Sequence, residues 1–493
     1  MKINGSVSEV NGWKRLTIKG TPYERGYSHG YLLHKEIKKV IETYEFVFYN
    51  DFGLKYDFFV DVIPEIFRDK IINEYKELFD EMNGIAEGAT KAGTKISCDD
   101  IILLNCYLSI DYIMDSLVKI INEFPRLKTK YGDLFTYKHS EHKMNKSGAS
   151  DKCTAFIAVG DYTKDGKIVC AHNTFDNYIT AQYQNLLLEI HPDKGNSFTM
   201  QTSPGCIWSG SDYYVTGNGF ICTETTIGGF NKFELNAPIF CRIRKAVQYS
   251  KSLDDYVEHL THNNSGDYAN SWYIGDTNTN TIMRIELGLK YVNVEKKKNG
   301  YFIGFNSPDD PRIRNLECSN TGHYDIRRHQ GARRVRLTQL IEEHKGSIDI
   351  EKGQHILSDH YDVYLNKINP SSRTCCSHYE LDDRAFMSQE NRPKPYQPRG
   401  AIDGIVTDTT MAKKGGFSAI WGSSCGTPFY AKEFFERNII WREQKPYLLD
   451  RPSQSWTNFY SSLPSFASKR HNAKSRKIAL LKEKKSKKIK IHS

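Results

Sequence analysis

Residues 153–178 of the chain read CTAFIAVGDYTKDGKIVCAHNTFDNY, two apolar runs separated by a polar turn. The Asp-Gly pair between the runs is typical of a tight turn, and the apolar residues on either side favour strands. The stretch therefore predicts a β-hairpin whose first strand begins at Cys153. With a turn centred near Lys164, we expect residues 175–178 of the returning strand to lie level with Cys153.

The segment before the hairpin has a different composition. Residues 126–152 are charged and polar with few apolar side chains, which predicts an exposed linker. Further upstream, residues 12–20 predict a short strand, and apolar residues recur with a helical period through most of the first 125 residues. The sequence thus predicts a mainly helical segment at residues 1–125 and a linker that ends at Lys152.

After the hairpin the strand pattern dominates. Further strands are predicted at QNLLLEIHP (184–192), SFTMQT (197–202), DYYVTGNGFICTETT (212–226), SWYIGDTNTNTIMRIEL (271–287) and GYFIGFN (300–306). Helices are predicted near residues 238–262 and 330–345. Because strands and helices are segregated rather than alternating, we expect a layered α+β protein with its core at residues 153–460.

The junction at residue 153 has the layout of an enzyme that makes its own catalytic N-terminus. A small nucleophilic residue opens a buried strand directly after a polar linker. In such a chain the Cys153 thiol attacks the carbonyl of Lys152, and hydrolysis of the thioester frees an α-amino group that then acts as the base. We expect Asp176 to steady the α-ammonium, with His172 and Asn173 close by. A plain buried core cysteine is the alternative.

The positive charge of the chain is concentrated at its C-terminal end. The net charge is +9, and residues 469–493 hold eleven Lys or Arg against one acid, so the rest of the chain is close to neutral. This distribution argues against a nucleic-acid groove on the folded body, where basic residues would cluster. The tail is predicted to be a disordered, solvated appendage, with an arm for a polyanion or an anionic membrane surface as the alternative.

The sequence predicts no targeting segment, membrane span or metal site. Residues 1–22 lack the apolar run of a signal peptide, and no run of 18 or more apolar residues predicts a transmembrane helix. The compartment stays open, with a cytoplasmic or particle-associated protein compatible with this pattern. The eleven cysteines form no CxxC pair or zinc-type spacing, so we expect mostly free thiols, no metal and no organic cofactor.

One competing motif is GSSCG at residues 422–426, which matches the G-x-S-x-G nucleophile elbow with Ser424 as nucleophile. The histidines after Ser424 all lie in the basic tail, and Pro428 interrupts the helix that should follow the elbow. The glycines are therefore predicted to form a tight turn instead.

A second group of polar residues is SSRTCCSH at residues 371–378. Its chemically active members are Arg373, Cys375, Cys376 and His378. A Cys/His dyad is one interpretation, and a structural loop that faces substrate is the preferred one. Three further histidines show no ligand spacing and are expected to be surface or hydrogen-bonded residues: His323, His329 and His360.

Five segments match motifs of a known family in the same order along the chain. They are residues 153–178, RGYSHGYLLHKEI (25–37), SPGCIWSGSDYYVTGNGFICTETTI (203–227), NNSGDYANSWYIGD (263–276) and GGFSAIWGSSCGTPF (415–429). Over about residues 12–460 the chain resembles the phospholipase B-like family of N-terminal-nucleophile hydrolases. That family is related to the acyl-CoA:6-aminopenicillanic acid acyltransferase group.

The resemblance implies a four-layer αββα sandwich and cleavage between Lys152 and Cys153. Matched to the family, Cys153 is the nucleophile, His172 and Asn173 fall in the HNT motif, and Phe175 stands at an aromatic position. A more distant match to bile-salt hydrolases implies Thr226 and Asn264 as oxyanion donors and Arg333 as an active-site arginine. Bile-salt hydrolases use asparagine where this chain has Thr226, whose hydroxyl is a shorter and less rigid donor.

The expected function is self-processing hydrolysis of an acyl bond by Cys153, and the family name suggests phospholipid deacylation. The expected partner is an acyl-lipid or N-acyl small molecule, without a specific nucleic acid, and the oligomeric state stays open. Since a fold does not choose its substrate, two alternatives remain. One is an N-acyl amidase or acyltransferase, and the other is a catalytically inactive structural protein whose tail binds a polyanion.

Overall fold

The structure is a computed structural model that describes residues 1–134, 153–319, 322–383 and 394–462. Lys152, most of the predicted linker and the basic tail at residues 469–493 lie outside the described residues. Within the described ranges, no helix is both long enough and apolar enough to span a bilayer.

Two large sheets form the centre of the molecule. The first has nine strands, in the spatial order β1 (Gly5–Val10), β2 (Trp13–Gly20), β5 (Leu186–Pro192), β6 (Phe198–Thr202), β7 (Tyr213–Thr216), β8 (Phe220–Thr226), β9 (Asn270–Asp276), β10 (Thr281–Leu287) and β11 (Val292–Lys297). Neighbouring strands are antiparallel except β2 and β5, which are parallel.

The second sheet has seven strands and contains the hairpin. Its order is β12 (Gly300–Gly304), β3 (Cys153–Val159), β4 (Val169–Asn177), β16 (Asp403–Asp408), β17 (Phe417–Trp421) and β18 (Thr457–Phe459), with β15 (Arg399–Ala401) also paired to β4. All its pairs are antiparallel. A separate small pair consists of β13 (Tyr361–Asp362) and β14 (Lys367–Ile368).

Helices complete the molecule. Those before the hairpin are α1 (Pro22–Leu32), α2 (His34–Phe52), α3 (Tyr56–Glu74), α4 (Lys76–Lys91), α5 (Cys98–Asn105), α6 (Ile110–Met114), α7 (Leu117–Glu123) and α8 (Pro125–Tyr131). Those after it are α9 (Tyr178–Ala181), α10 (Ile239–Tyr249), α11 (Leu253–Thr261), α12 (Pro311–Leu316), α13 (His329–Glu343), α14 (Ile350–Leu357), α15 (Thr409–Ala412) and α16 (Ala431–Arg437).

The alternation of side chains along the strands divides the buried apolar residues among four layers. Leu188 belongs to a cluster with the N-terminal helices, whereas its neighbour Leu187 belongs to a cluster between the two sheets. Ile157 of the second sheet shares that inter-sheet cluster, and its neighbour Phe156 packs with Leu340 of α13 on the outer face. The order is helix, sheet, sheet, helix, so the predicted αββα sandwich is confirmed.

The N-terminal segment is built into this sandwich rather than set beside it. Strands β1 and β2 extend the nine-stranded sheet, so the layered core reaches beyond the predicted residues 153–460. The predicted linker at residues 126–152 also begins inside a helix, α8. There Arg126 and Lys130 form ion pairs with Asp61 of α3, so these charged residues join two helices.

The predicted hairpin is present with a different register. Cys153 pairs with Thr174, not with residues 175–178. The connection between the strands contains a 3₁₀ turn at Gly160–Tyr162 followed by Gly166 in the left-handed region, with φ 73°. The pairing is centred between Thr163 and Lys164, so Thr174 is level with Cys153 and Asp176 lies two residues beyond that level.

Candidate active site

Cys153 is the first residue of β3 and is completely buried. By the alternation of a strand, its side chain shares the face of Ala155 and Ile157, which pack between the two sheets. Its backbone N–H donates to Oδ1 of Asn306 at 3.3 Å, and its carbonyl accepts from Nη1 of Arg333. The nitrogen at the predicted cleavage point and the carbonyl of the same residue therefore both have side-chain partners.

Arg333 holds the start of β3 from the opposite face. Its Nη1 also donates to Oγ1 of Thr154 at 3.1 Å, and its Nη2 donates to Oδ1 of Asn306 at 2.7 Å. The guanidinium carbon lies 5.2 Å from the ring centre of Phe175. Because Oδ1 of Asn306 accepts from both Arg333 and the nitrogen of Cys153, the three groups fix the position of that nitrogen.

Asn306 has a backbone conformation that few residues adopt. It follows β12 with φ 64°, in the left-handed region that asparagine tolerates better than most side chains. Its Nδ2 donates to the carbonyl of Thr226 at 2.8 Å, and its own carbonyl accepts from Gly228 at 3.1 Å. The amide is thereby oriented, with its oxygen toward Cys153.

A buried acidic cluster lies beside the thiol. The Tyr268 hydroxyl is 3.0 Å from Oδ2 of Asp212 and 3.0 Å from Oε1 of Glu224, and it accepts from Oγ1 of Thr226 at 3.0 Å. Burial, followed by the charges of Asp212, Glu224 and Cys153, raises the pKa of Tyr268 well above its ordinary value. The phenol is therefore protonated at neutral pH and lies within electrostatic range of the Cys153 sulfur.

A second buried acid lies behind the hairpin strand opposite Cys153. Asp403 accepts from the backbone N–H of Thr174 at 2.8 Å and from Nε2 of Gln201 at 2.8 Å. Burial raises the pKa of Asp403 to about 7, against the effect of these hydrogen bonds. Because Thr174 pairs with Cys153, the protonation of Asp403 acts on the strand next to the candidate nucleophile.

Comparison with known proteins assigns the chain to a family, since the family model for phospholipase B matches residues 21–461. The chain belongs to the phospholipase B family. An uncharacterized protein of Archaeoglobus fulgidus is 24% identical over 72% of this chain and 59% of its own length. Phospholipase B of Crotalus adamanteus is 28% identical over 53% of this chain and 50% of its own length.

The putative phospholipase B-like 2 of Mus musculus is 25% identical over 57% of this chain and 54% of its own length. The chain thus spans little more than half the length of these phospholipase B relatives. Among solved structures, a variant of conjugated bile acid hydrolase from Clostridium perfringens is 11% identical with a TM-score of 0.26, covering 55% of this chain and 84% of that one. The fold assignment therefore rests on the layers of the molecule itself.

In this phospholipase B-family chain, His172 lies near Cys153 as a neutral core residue. It shares a face of β4 with Thr174, and its ring centre is 6.2 Å from that of Tyr213. The backbone of Glu224 lies within hydrogen-bonding reach of the ring and acts against the effect of burial. Burial lowers the pKa of His172 to about 3, so the ring carries no charge at neutral pH.

Asp176 lies on the same face of β4 and is almost completely buried. Its carboxylate accepts from the backbone of Asn177 at 2.8 Å and from Nε2 of Gln184 at 3.3 Å, and it lies 3.8 Å from Nη1 of Arg399. The carboxylate therefore already has a cationic neighbour, and its effect on the α-ammonium of Cys153 stays a prediction.

Asn173 does not join the Cys153 side chain. It pairs with Thr154, so its side chain points to the opposite face of the sheet. There its Nδ2 donates to the carbonyls of Leu357 at 2.8 Å and Cys375 at 3.1 Å. Because neighbouring residues of a strand face opposite ways, Asn173 lies close to Cys153 along the hairpin, but its side chain does not face the thiol.

The two predicted oxyanion donors are engaged elsewhere. The Thr226 hydroxyl donates to the Tyr268 hydroxyl, and the Thr226 carbonyl accepts from Nδ2 of Asn306. Asn264 donates to the carbonyl of Gly288 at 2.7 Å and accepts from the N–H of Gly266 at 3.0 Å, which braces the loop before β9. The structure thus does not assemble this pair around Cys153, because both side chains satisfy nearby protein groups.

Sequence reasoning missed four residues around Cys153, namely Asn306, Tyr268, Asp212 and Glu224. Three of them stand inside the motifs at residues 203–227 and 263–276 that carry the family resemblance. Asn306 is the last residue of the strand predicted at residues 300–306. The sequence shows that these residues lie in motifs or at a strand end. It does not show that they lie close to Cys153.

Ser424 has a structural role in the turn after β17. Its hydroxyl is buried and donates to the carbonyl of Leu357 at 2.8 Å. Gly422 and Gly426 have φ 101° and 78°, which only glycine adopts readily, so the predicted tight turn is confirmed.

Two cavities in the described part of the chain lie apart from Cys153, which lines neither of them. A cavity of about 660 Å³ lies beside Gly229, three residues after Thr226, and is walled in part by Tyr112 and Phe230. Another of about 480 Å³ lies on the outer side of β12.

Proposed function

We propose that the chain is a cysteine hydrolase of acyl bonds that becomes active when it breaks its own Lys152–Cys153 peptide bond. The observation that carries the proposal is the setting of Cys153, the first residue of a buried strand, with its nitrogen held by Asn306 and its carbonyl held by Arg333. Membership of the phospholipase B family supports hydrolase chemistry, since that name denotes hydrolysis of acyl esters.

Processing begins with attack of the Cys153 sulfur on the carbonyl carbon of Lys152. A C–S bond forms, the C–N bond to Cys153 breaks, and the thiol proton passes to the departing nitrogen. Water then cleaves the thioester, which leaves a carboxylate on Lys152 and a free thiol and α-amino group on Cys153. Arg333 and Asn306 keep the backbone of Cys153 in place while the bond before it breaks.

The new α-amino group takes the position of the Cys153 amide nitrogen. Oδ1 of Asn306 then accepts one of its hydrogens, which leaves the nitrogen lone pair for the thiol proton. An α-amino group has an ordinary pKa of roughly 7.7–8.0. The positive charge of Arg333 disfavours the ammonium form and so lowers the pKa of the amine. The buried carboxylates of Asp212 and Glu224 act in the opposite direction and raise it.

In turnover the Cys153 thiolate attacks the acyl carbonyl of the substrate. The alcohol leaves with the proton held by the α-ammonium, and water resolves the thioester to a free acid and the thiol. We propose an acyl ester of a phospholipid as the substrate. This choice rests on the family and on relatives such as phospholipase B of Crotalus adamanteus.

The test is intact mass with N-terminal sequencing of the wild type and Cys153→Ala after incubation from acidic to neutral pH. We expect the wild type to give a chain of residues 153–493 that begins with Cys153, and Cys153→Ala to stay intact. Cys98→Ala is the matched control, because Cys98 is a half-buried thiol on α5 that should not affect cleavage.

Cleaved wild type should then release fatty acid from phosphatidylcholine vesicles, and the uncut variant should release none. An N-acyl amide with the same acyl chain, given with and without an amine acceptor, separates hydrolysis of esters from amidase and acyltransferase activity. A wild type that stays intact at every pH, or a Cys153→Ala protein that is cleaved equally well, would contradict self-processing.

A further inference from the structure

Four side chains with metal-binding atoms meet beside Phe175 of β4 and the turn after β17, on segments that the proposed reaction does not use. They are His360, Cys376, His378 and Cys425, and one ligand atom of each lies within 4.8 Å of all the others. Cys376 and His378 are buried, while His360 and Cys425 are half-buried. The first three belong to the segment after α14, and Cys425 belongs to the turn after β17.

The distances in this cluster fit a tetrahedral metal ion. Nε2 of His378 is 3.4 Å from the sulfur of Cys376 and 3.4 Å from the sulfur of Cys425. Bond lengths of about 2.0 Å for Zn–N and 2.3 Å for Zn–S place neighbouring ligand atoms roughly 3.3–3.8 Å apart in a tetrahedron. Two sulfurs and two imidazoles are a donor set suited to Zn²⁺ and unsuited to Mg²⁺ or Ca²⁺.

The surroundings of the two histidines also suit a metal ion. Nδ1 of His378 is 2.8 Å from Oε1 of Glu380, and the opposite ring atom, Nε2, faces the two sulfurs. Carboxylates commonly orient metal-binding histidines in this way. Nε2 of His360 is buried without a hydrogen-bond partner among the described residues. Such an atom is costly unless something fills the position.

We propose that His360, Cys376, His378 and Cys425 bind one Zn²⁺ in a closed structural site. Four protein ligands leave no open position for water or substrate, so the ion cross-links two segments of chain and takes no part in the chemistry. Regular structure in the described part of the first segment is limited to short pieces such as β13 and β14.

The site would also brace the surroundings of Cys153. Cys376 packs with Phe175 of β4, and Cys425 packs against the same cluster. The ring of Phe175 in turn lies 5.2 Å from the guanidinium carbon of Arg333, which bonds the carbonyl of Cys153. A fixed Cys376 therefore restricts the aromatic surface against which Arg333 rests.

The sequence predicted no metal site because the cysteines and histidines show no ligand spacing along the chain. The structure nevertheless brings these four side chains together, because the strands of the sheet place distant segments side by side. Cys425 lies 47 positions from His378 along the chain. His360 showed no ligand spacing in the sequence. Along the chain it directly precedes β13, so the β13–β14 pair separates it from Cys376 and His378.

The test is the metal content of the full chain purified from zinc-containing medium, measured by elemental mass spectrometry after gel filtration. We expect about one zinc per chain in the wild type and a loss of most of it in Cys376→Ala and Cys425→Ser. Cys375→Ala is the matched control, because this neighbouring thiol is equally buried but packs in the cluster with Phe156 and α13. It should retain the zinc.

A measurement on the wild type alone covers the case in which the variants fail to fold. Peptide mapping after alkylation should show Cys376 and Cys425 protected until a zinc chelator is added. A zinc-free protein with a Cys376–Cys425 disulfide overturns the proposal. So does a zinc-free protein in which Cys425 alkylates at once, which would indicate a reactive thiol paired with His378. Cys153→Ala should bind zinc normally, so this result is independent of self-processing.

Discussion

At the scale of single residues, Asn306 connects most of the groups around Cys153. One side-chain oxygen accepts from the Cys153 nitrogen and from Arg333, while the amide nitrogen is held by the Thr226 carbonyl. We regard Asn306 as a positioning residue for the α-amino group. Its left-handed backbone makes aspartate and glycine the least disruptive replacements, because both tolerate that conformation.

Asn306→Asp should shift the pH dependence of the cleaved enzyme. A negative charge beside the α-amino group favours the ammonium form and raises its pKa, so the acidic limb of kcat/KM should move to higher pH by about one unit. Asn306→Gly is the control, because it removes the amide without adding a charge and should lower the rate without that upward shift. An unchanged profile in Asn306→Asp would exclude this role.

His172 makes the folded state sensitive to acid. Burial lowers its pKa to about 3 from the ordinary value of 6.5, so the unfolded chain gains a proton before the folded chain does. The stability present above pH 6.5 is therefore lost as the pH falls from 6.5 toward 3. Between pH 7 and pH 5 the contribution is about 2 kcal/mol, at ~1.4 kcal/mol per pH unit.

His172→Gln should remove this part of the acid sensitivity. We expect urea titrations in the uncut Cys153→Ala background to show a loss of unfolding free energy between pH 7 and pH 5 that is smaller by about 2 kcal/mol. His262→Gln, at an exposed histidine, should leave the pH dependence unchanged. Equal losses in the His172 variant and its parent would show that burial of this ring does not suppress its protonation.

At the scale of elements, the motif RGYSHG packs α1 directly against α4. A Cβ added to Gly26 would lie 2.0 Å from the carbonyl oxygen of Glu81, and one added to Gly30 would lie 1.9 Å from that of Ile85. Arg25 of the same motif forms a fully buried ion pair with Glu81. The two helices therefore approach backbone to backbone, which explains the glycines and the arginine in this motif.

Gly30→Ala should destabilise the protein by about 3 kcal/mol, because the new methyl group meets the α4 backbone and the helices must separate. Thermal unfolding of the uncut Cys153→Ala chain measures this as a lower Tm. Gly132→Ala is the control, since a Cβ there would have no atom nearer than 3.8 Å. Its effect should stay within about 0.5 kcal/mol. Similar Tm values for both variants would contradict the close helix packing.

At the scale of the whole molecule, the proposed cleavage separates two parts of the chain that share one core. Strand β2 pairs with β5 across the cut, and helices α1–α8 pack on the nine-stranded sheet. Glu81 of α4 accepts from Arg25 and, at 3.1 Å, from Arg244 of α10, so a buried charge network also crosses the cut. Removing one partner of such a network leaves an uncompensated buried charge.

After cleavage the two chains should therefore stay together. We expect the parts before and after residue 153 to elute as one complex in gel filtration under native conditions and to separate in denaturant. Separate native peaks with an active C-terminal chain would show that the N-terminal segment is dispensable for the folded core.

The sequence by itself determined where many of the strands lie. The alternating and continuous apolar runs predicted the hairpin at Cys153 and most strands of the first sheet, because local backbone preference and burial pattern are encoded over a few residues. In the second sheet they predicted β3, β4 and β12 but not β15, β16 or β18. The motifs also identified Cys153 and Arg333, which the structure brings into contact. The register of the hairpin was misjudged, since it depends on the detailed geometry of the turn.

Only the tertiary structure decided which side chains surround Cys153. Asn306, Tyr268 and Asp212 come from three different parts of the chain, and their proximity is set by how the two sheets stack. The same holds for the proposed zinc ligands. His378 bridges to Gly400 of β15, which pairs with β4, and Cys425 follows β17, which is joined to β4 through β16. A sequence records spacing along the chain, whereas these contacts depend on strand order and layer packing, which no local pattern specifies.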